Sequence, residues 1–301
     1  MVNNPSLKIL IAYHKKDKLF KNNYIVPIHL GRAIAQQKSK DGKISQQELD
    51  WLLHNMIGDD TGDNISHLNR CFNEMTAIYW AWKNYDKLGS PDFIGFMHYR
   101  RLFDFSEYFS PSGTSILQKI CMEEKNILEI LEKYNLIFHR KFLFSPKLDK
   151  GRIGFDYYQK NIRLSPQYYP ELYKKYKLFK SDLSFSHYNM FIMRKQDFFQ
   201  YCETIFDILL KTYNEFIQSQ GEPPFPRYIG FASEYLTSFY LDTLKEKSNI
   251  NALNVRIRFL YNPIIYNWQL FILWFKTKIL KQKKYEKQYR ALYVHKHMNF
   301  R

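Results

Sequence analysis

The sequence predicts an α/β domain built on a mostly parallel sheet flanked by helices, and three observations carry that expectation. Apolar runs of strand length recur at Leu7–Tyr13, Asp92–Tyr99, Asn135–Phe138 and Phe185–Met193, with helix-length apolar or amphipathic segments between them. The run Asp92–Tyr99 is apolar almost throughout, as suits a central strand covered on both faces. The first three runs each end in a histidine with Arg or Lys beside it: His14 with Lys15, His98 with Arg100 and Arg101, His139 with Arg140.

Strand ends are where open α/β sheets collect ligands. If the three strands run parallel, these ends form one cationic rim suited to an anionic ligand such as a diphosphate. The plainer reading is that basic residues are abundant and the arginines begin solvated loops. The formal net charge of +16 over 301 residues implies an anionic partner: nucleic acid, a membrane surface or a phosphorylated substrate. Charge alone does not choose among them. A 45% hydrophobic composition excludes a disordered chain and is ample for one large domain.

The first strand, Leu7–Tyr13, ends in His14, Lys15, Lys16 and Asp17 with no glycine-rich fingerprint after it, which excludes a dinucleotide or P-loop site. No secretory signal is expected, because the N-terminal apolar run covers only Ile9–Tyr13. The segment from Gly31 to Asp60 reads as a polar, helix-bearing excursion. Asp59, Asp60 and Asp63 cluster in a glycine-containing loop that could hold a cation but lacks EF-hand spacing. Cys71, Cys121 and Cys202 are odd in number and far apart, a reduced, cytosolic usage without disulfide or metal-ligand spacing.

Residues 62–103 organise the chain. A helix carries Phe72, Met75, Tyr79 and Trp82 on one face, with Ala77, Trp80 and Ala81 making its other sides apolar, so it belongs in the core. Glu74 lies in its first turn, either favouring the positive helix end or held there for chemistry. A Gly/Pro break leads to the strand ending in His98, Tyr99, Arg100 and Arg101. A helical stretch at Ile116–Tyr134 precedes the third strand, and residues 145–180 read as a long aromatic, basic loop region fit for acceptor binding. His187 and Asn189 stand at the entry of the next strand, as ligand contacts or as satisfied polar residues at a core edge. The helix Gln196–Phe216 has a core stripe of Phe199, Cys202, Ile205, Phe206 and Leu209. After a proline-rich loop, Ser233 reads as a helix cap with Glu234 at the positive helix end, where its carboxylate could serve as a general base.

The stretches Gly62–Ser66, Glu74 with Thr76–Asn84, Asp92–Arg101, Asn189–Met193 and Gly230–Glu234 resemble a family of bacterial glycosyltransferases from capsular polysaccharide, exopolysaccharide and lipooligosaccharide gene clusters, long catalogued as a domain of unknown function. The resemblance covers roughly residues 7–245. It implies a GT-A-like, Rossmann-like fold that binds a nucleotide-sugar donor, a UDP-sugar, and moves a hexose, galactose or galactofuranose among them, to a hydroxyl of a glycan or lipid-linked glycan acceptor. GT-A enzymes usually carry an Asp-X-Asp pair for a divalent metal, and here that position reads His98-Tyr99-Arg100. An arginine pair offers its own charge to the leaving diphosphate, so metal-independent catalysis is expected, with Mn²⁺ or Mg²⁺ as the alternative and Asp59, Asp60, Asp63, Asp92 or Asp104 as the acids that could reach it. In this reading Arg100 and Arg101 act with His98 on the diphosphate, and Glu234, then Glu74, is the base if the reaction inverts the anomeric centre. Asn64, Tyr99 and Asn189 are donor contacts by the resemblance alone. Asp63, His14 and His187 join the expected donor-binding set.

The division expected is a transferase domain over 1–250 and a basic, aromatic extension over 251–301. Phe259–Phe275 is apolar but broken by Asn262, Asn267 and Gln269, short of the ~20 residues of a spanning helix. With the basic tail Lys276–Arg301 it suits an anionic membrane surface, hence a cytoplasmic protein peripheral on the inner face of the membrane. Its alternative is a helix packed on the core with a solvated tail. Two rival classes remain: a nucleic-acid-binding basic protein, against which stands the lack of any RNA or DNA motif, and a non-catalytic glycan-binding module.

Overall fold

The computed structural model describes residues 5–38, 44–143, 162, 164–182, 184–186, 188–224, 226–260 and 271–282. Its strands are β1 (Leu7–Tyr13), β2 (Ile25–His29), β3 (Ile57–Gly58), β4 (Phe93–His98), β5 (Arg101–Asp104), β6 (Leu136–His139), β7 (Phe142–Leu143), β8 (Ser184–Phe185), β9 (Phe191–Arg194) and β10 (Ala252–Phe259). Its helices are α1 (Gln46–Asn55), α2 (Asn69–Phe72), α3 (Met75–Lys83), α4 (Ile116–Lys119), α5 (Glu124–Leu131), α6 (Pro170–Asp182), α7 (Lys195–Gln220) and α8 (Tyr228–Leu244).

β1 pairs in parallel with β2 on one side and β4 on the other, and β2 continues to β3. Beyond β4 the sheet is mixed, which corrects the mostly parallel expectation: among the described residues four of its eight pairings are antiparallel. The causes are local. Only Tyr99 and Arg100 separate β4 from β5, and so short a link permits only a hairpin. β9 enters from the opposite edge, pairing antiparallel with both β4 and β6. β10 then joins β6 to β5, so that β4, β9, β6, β10 and β5 close into a ring. The sheet thus continues past residue 250, where the sequence suggests that the domain ends.

The alternation along β1 divides the core in two. Leu10 faces a cluster with Trp80, Phe198, Tyr201, Phe206 and Ile229, contributed by α3, α7 and α8. Ile9, Ile11 and Tyr13 face the other way, toward Leu52, Met97 and Ile127 under α1 and α5. Helices on both faces account for the near-continuous apolar strands.

Three expected elements are broken by residues of positive φ. The helix through Phe72 and Met75 is interrupted at Asn73 (φ 52°), and that through Ile116–Tyr134 at Cys121 (φ 55°). The strand expected over Phe185–Met193 becomes β8 and β9 with a turn at Tyr188 and Asn189, φ 76° and 48°. Asparagine tolerates this region and tyrosine does not, so a pattern read from hydropathy misses it. No helix among the described residues is long and apolar enough to cross a membrane. Of the expected extension 251–301, residues 251–260 and 271–282 are described, and Phe271, Ile272, Trp274 and Phe275 are exposed there.

Candidate active site at the shared strand edge

β1 and β4 are parallel, and two antiparallel steps through β9 make β6 parallel to β4. His14, His98 and His139 therefore stand along one edge. The rim they begin is not uniformly cationic. Arg140 and Lys141 pair with Glu107 and Asp242, and Arg100 lies 3.7 Å from Asp17 with its guanidinium over the Tyr99 ring. Arg101 differs. No carboxylate lies within ion-pair distance of it among the described residues; its Cζ is 4.2 Å from the Tyr188 ring centre and its buried Nε has no hydrogen-bond partner.

Opposite this edge a carboxylate is held with unusual completeness. Glu74 occupies the cap position of α3 in helical geometry and makes no capping bond. Its side chain turns instead to Asn189, whose Nδ2 donates to Glu74 Oε1 at 2.8 Å and to Ser233 Oγ at 2.9 Å. Asn189 Oδ1 accepts from Thr237 Oγ1 at 2.6 Å, so the 2.8 Å bond between Tyr201 and Thr237 must have the tyrosine as donor. Ser233 Oγ spends its proton on the Gly230 carbonyl. Every proton in the chain is thus assigned, and Glu74 Oε1 only accepts. Among the described residues, four of the seven non-glycine residues of positive φ, namely Asn73, Tyr188, Asn189 and Arg227, surround this network. Backbone strain of this kind collects where function over-determines geometry.

Burial is the main force raising the Glu74 carboxyl above the usual range, the charge of Glu234 adds to it, and the Asn189 bond and Arg227 oppose it. His98 is pushed down to about 4, first by burial, then by the Arg101 charge. Its Nε2 lies 2.8 Å from the Tyr188 carbonyl; a carbonyl only accepts, so Nε2 carries the hydrogen. His98 also feels Glu234 and His14, and the His14 ring packs edge-on to Tyr99 at 5.5 Å. The structure thus gathers Glu74, Glu234, His98, His14, Asn189 and Arg101 into one neighbourhood. A proton-accepting carboxyl, a neutral imidazole and a guanidinium can move a proton and stabilise an anion.

Other expected residues are placed elsewhere. Asp63 accepts from Tyr79 OH and Asn64 closes a local turn with Gly62 and Ser66, in the loop after β3, three strands from β4 in the sheet order. Both oxygens of Asp59 are filled by the Gly31 and Arg32 amides and the Ser66 and Thr76 hydroxyls. Asp60 pairs with Arg32, Asp104 with Arg258, and Asp92 accepts from Ser6. No group of three His, Cys, Asp or Glu placed to hold a metal occurs among the described residues. The expectation that Ser233 caps its helix is corrected: α8 begins at Tyr228 with Arg227 as its cap, so Ser233 and Glu234 lie in the second turn. His187 lies outside the described residues. Sequence reasoning missed Thr237, Tyr201, Tyr188 and Arg227; only the proline-rich loop before Arg227 hinted at any of them.

A family profile described as "domain of unknown function (DUF4422)" matches residues 8–247. Among solved structures the chain is similar to one titled "WbbM bifunctional glycosyltransferase apo structure", with 26% identity and a TM-score of 0.68. That match covers 85% of this chain and 46% of the other, so the chain spans about half the length of the structure it resembles. No curated protein matches the chain.

Proposed function

The chain belongs to the DUF4422 family, and from that premise we propose that it is a glycosyltransferase of GT-A-like architecture that moves a hexose, galactose or galactofuranose first among candidates, from a UDP-sugar to a hydroxyl of a cell-surface glycan precursor such as that of a capsule, exopolysaccharide or lipooligosaccharide. One observation carries the reading. At the shared strand edge Arg101, with no carboxylate within ion-pair distance among the described residues, and the acidic pair Glu74 and Glu234 lie about His98 and the Asn189 amide. The fold likeness to a bifunctional glycosyltransferase supports it.

In this mechanism the acceptor O–H gives its proton to a carboxylate, Glu234 in first place and Glu74 in second. The freed oxygen attacks the anomeric carbon as the bond from that carbon to the diphosphate oxygen breaks. The bonding pair leaves with the nucleoside diphosphate, whose charge Arg101 meets. Glu74 is fixed on one oxygen by Asn189, which leaves the other to take a proton. His98, neutral and tied to the Tyr188 carbonyl, orients the turn that carries Asn189. Guanidinium stabilisation makes the reaction independent of divalent metal. The exposed Phe271, Trp274 and Phe275 beside Lys276 and Lys278 support a protein held on an anionic membrane surface, peripheral on the cytoplasmic face, where lipid-linked acceptors lie.

Thermal shift and turnover with UDP-galactose, UDP-galactofuranose and UDP-glucose, each with EDTA and with Mn²⁺, test this. A donor should raise the melting temperature and be consumed equally well in EDTA. Donor binding with no turnover on any acceptor would make the chain a glycan-binding module; salt-sensitive oligonucleotide binding without donor binding would make it a nucleic-acid-binding protein.

A further inference from the structure

A second cleft lies farther along α8 than Glu234. It is walled by Tyr168 and Tyr169, by Gln200 and Thr204 near the start of α7, and by Tyr240 and Thr243 near the end of α8, and encloses about 220 Å³. Its α8 wall continues from the site: Tyr240 packs against Tyr201, whose hydroxyl bonds Thr237, and Asp242, next to Thr243, pairs with Lys141 beyond β6. Along α8 the nine residue steps from Glu234 to Thr243 span ~14 Å.

The aromatic walls are preformed. Tyr169 OH donates to the Asp207 carboxylate, and the Tyr240 ring rests edge-on against Tyr201 at 5.4 Å. Tyr168 stands at the mouth, 72% exposed, a large flat apolar side chain with nothing stacked on it among the described residues. The polar groups around these rings are sorted by role. Thr204 and Thr243 spend their hydroxyl protons on the Gln200 and Phe239 carbonyls, so they offer acceptors. Gln200 Oε1 takes Lys247 Nζ at 3.3 Å, which leaves its amide hydrogens to donate. Glu171 and Lys247, also on the lining, supply one negative and one positive charge, so the cleft is electrically balanced although the chain as a whole is strongly basic.

Flat tyrosine faces ringed by interleaved donors and acceptors match the alternating C–H faces and hydroxyl edges of a sugar ring. Balanced charge disfavours a phosphate or nucleotide, and the volume falls below the ~300 Å³ at which pockets for larger ligands begin. We propose that this cleft binds a single ring of a neutral carbohydrate, a second glycan site farther along α8 than Glu234. The binding stands by itself; its use, as a second hold on a growing acceptor chain, rests on the transferase reading above.

Chemical-shift titration with the methyl glycosides of galactose, glucose and mannose, and with lactose, in the absence of nucleotide, tests it. We expect saturable binding on the order of millimolar, weakened about tenfold by Tyr168→Ala, weakened also by Gln200→Ala, and unchanged by Arg101→Ala. Both cleft variants alter exposed side chains and should keep the wild-type melting temperature and the wild-type turnover of a short acceptor. No saturable binding of any of these sugars, or binding that Tyr168→Ala leaves intact, overturns the proposal. A failed donor assay with intact cleft binding would instead overturn only the transferase reading.

Discussion

Asn189 Nδ2 donates to Glu74 Oε1 at 2.8 Å across 115 positions of sequence, and the same amide is locked from behind by Thr237. Asn189→Ala would leave Glu74 and Ser233 without their donor and the Thr237 hydroxyl without its acceptor, at ~1–3 kcal/mol for each group left unsatisfied and not additive. We expect a loss of more than ~2 kcal/mol of stability by urea denaturation. Asn189→Gly separates network from backbone: at φ 48° glycine relieves strain that alanine adds, so it should be the milder by ~0.5–1 kcal/mol. Equal loss in the two would mean that the turn is unstrained.

The two titrating groups at the site pull stability in opposite directions with pH. Glu74 is held at about 7, above its ordinary 4.5, so the native state binds more protons there. Its contribution is whole below the unfolded value and is lost as pH rises through the folded one. His98, at about 4 against an ordinary 6.5, contributes stability present above the unfolded value and lost as pH falls through the folded one. The windows overlap from about 4.5 to 6.5, where the two slopes cancel in part. Relative to the wild type, Glu74→Gln should make the unfolding free energy rise more steeply with pH over this range, and His98→Gln should make it fall more steeply, each by up to ~1.4 kcal/mol per pH unit. Slopes in both variants matching the wild type would remove both assignments.

Arg100 and Arg101 are neighbours in sequence with different surroundings. Arg100 faces Asp17 at 3.7 Å and Arg101 has no acid within ion-pair distance among the described residues. On the proposed mechanism Arg101→Ala should lower donor turnover by ~10²–10³, the scale of losing one transition-state charge contact, while Arg100→Ala stays within about tenfold. Steady-state kinetics with the best donor decide it; a reversed order would place the diphosphate at Arg100.

Gly230 sits inside α8 where helix propensity favours alanine by ~1 kcal/mol. A Cβ there would come 2.0 Å from Asn73 Nδ2 and 2.6 Å from its Cγ, and Asn73 Oδ1 also accepts from Arg227 Nε at 3.1 Å. We expect Gly230→Ala to destabilise by ~1–3 kcal/mol through displacement of the turn that presents Glu74. Asn73→Gly tolerates φ 52° and opens the space, so the double variant should recover most of the loss in thermal unfolding. No recovery would locate the damage elsewhere.

The α/β class, the apolar strands β1, β4 and β6 and the histidines ending them were legible in the sequence, because burial on both faces imposes continuous hydropathy and a strand's end imposes a polar break. Glu74, Asn189, Glu234 and Arg101 were also marked there, though as separate signals. What only the tertiary structure decided was partnership. Whether Arg100 or Arg101 keeps its charge depends on Asp17, more than eighty positions away; whether Glu74 caps a helix or faces a site depends on a left-handed turn at Asn189. The antiparallel β5 and β9 and the closing strand β10 were hidden for the same reason: hydropathy records how deeply a residue is buried, while direction, pairing and charge compensation are set by contacts between segments that sequence distance does not encode.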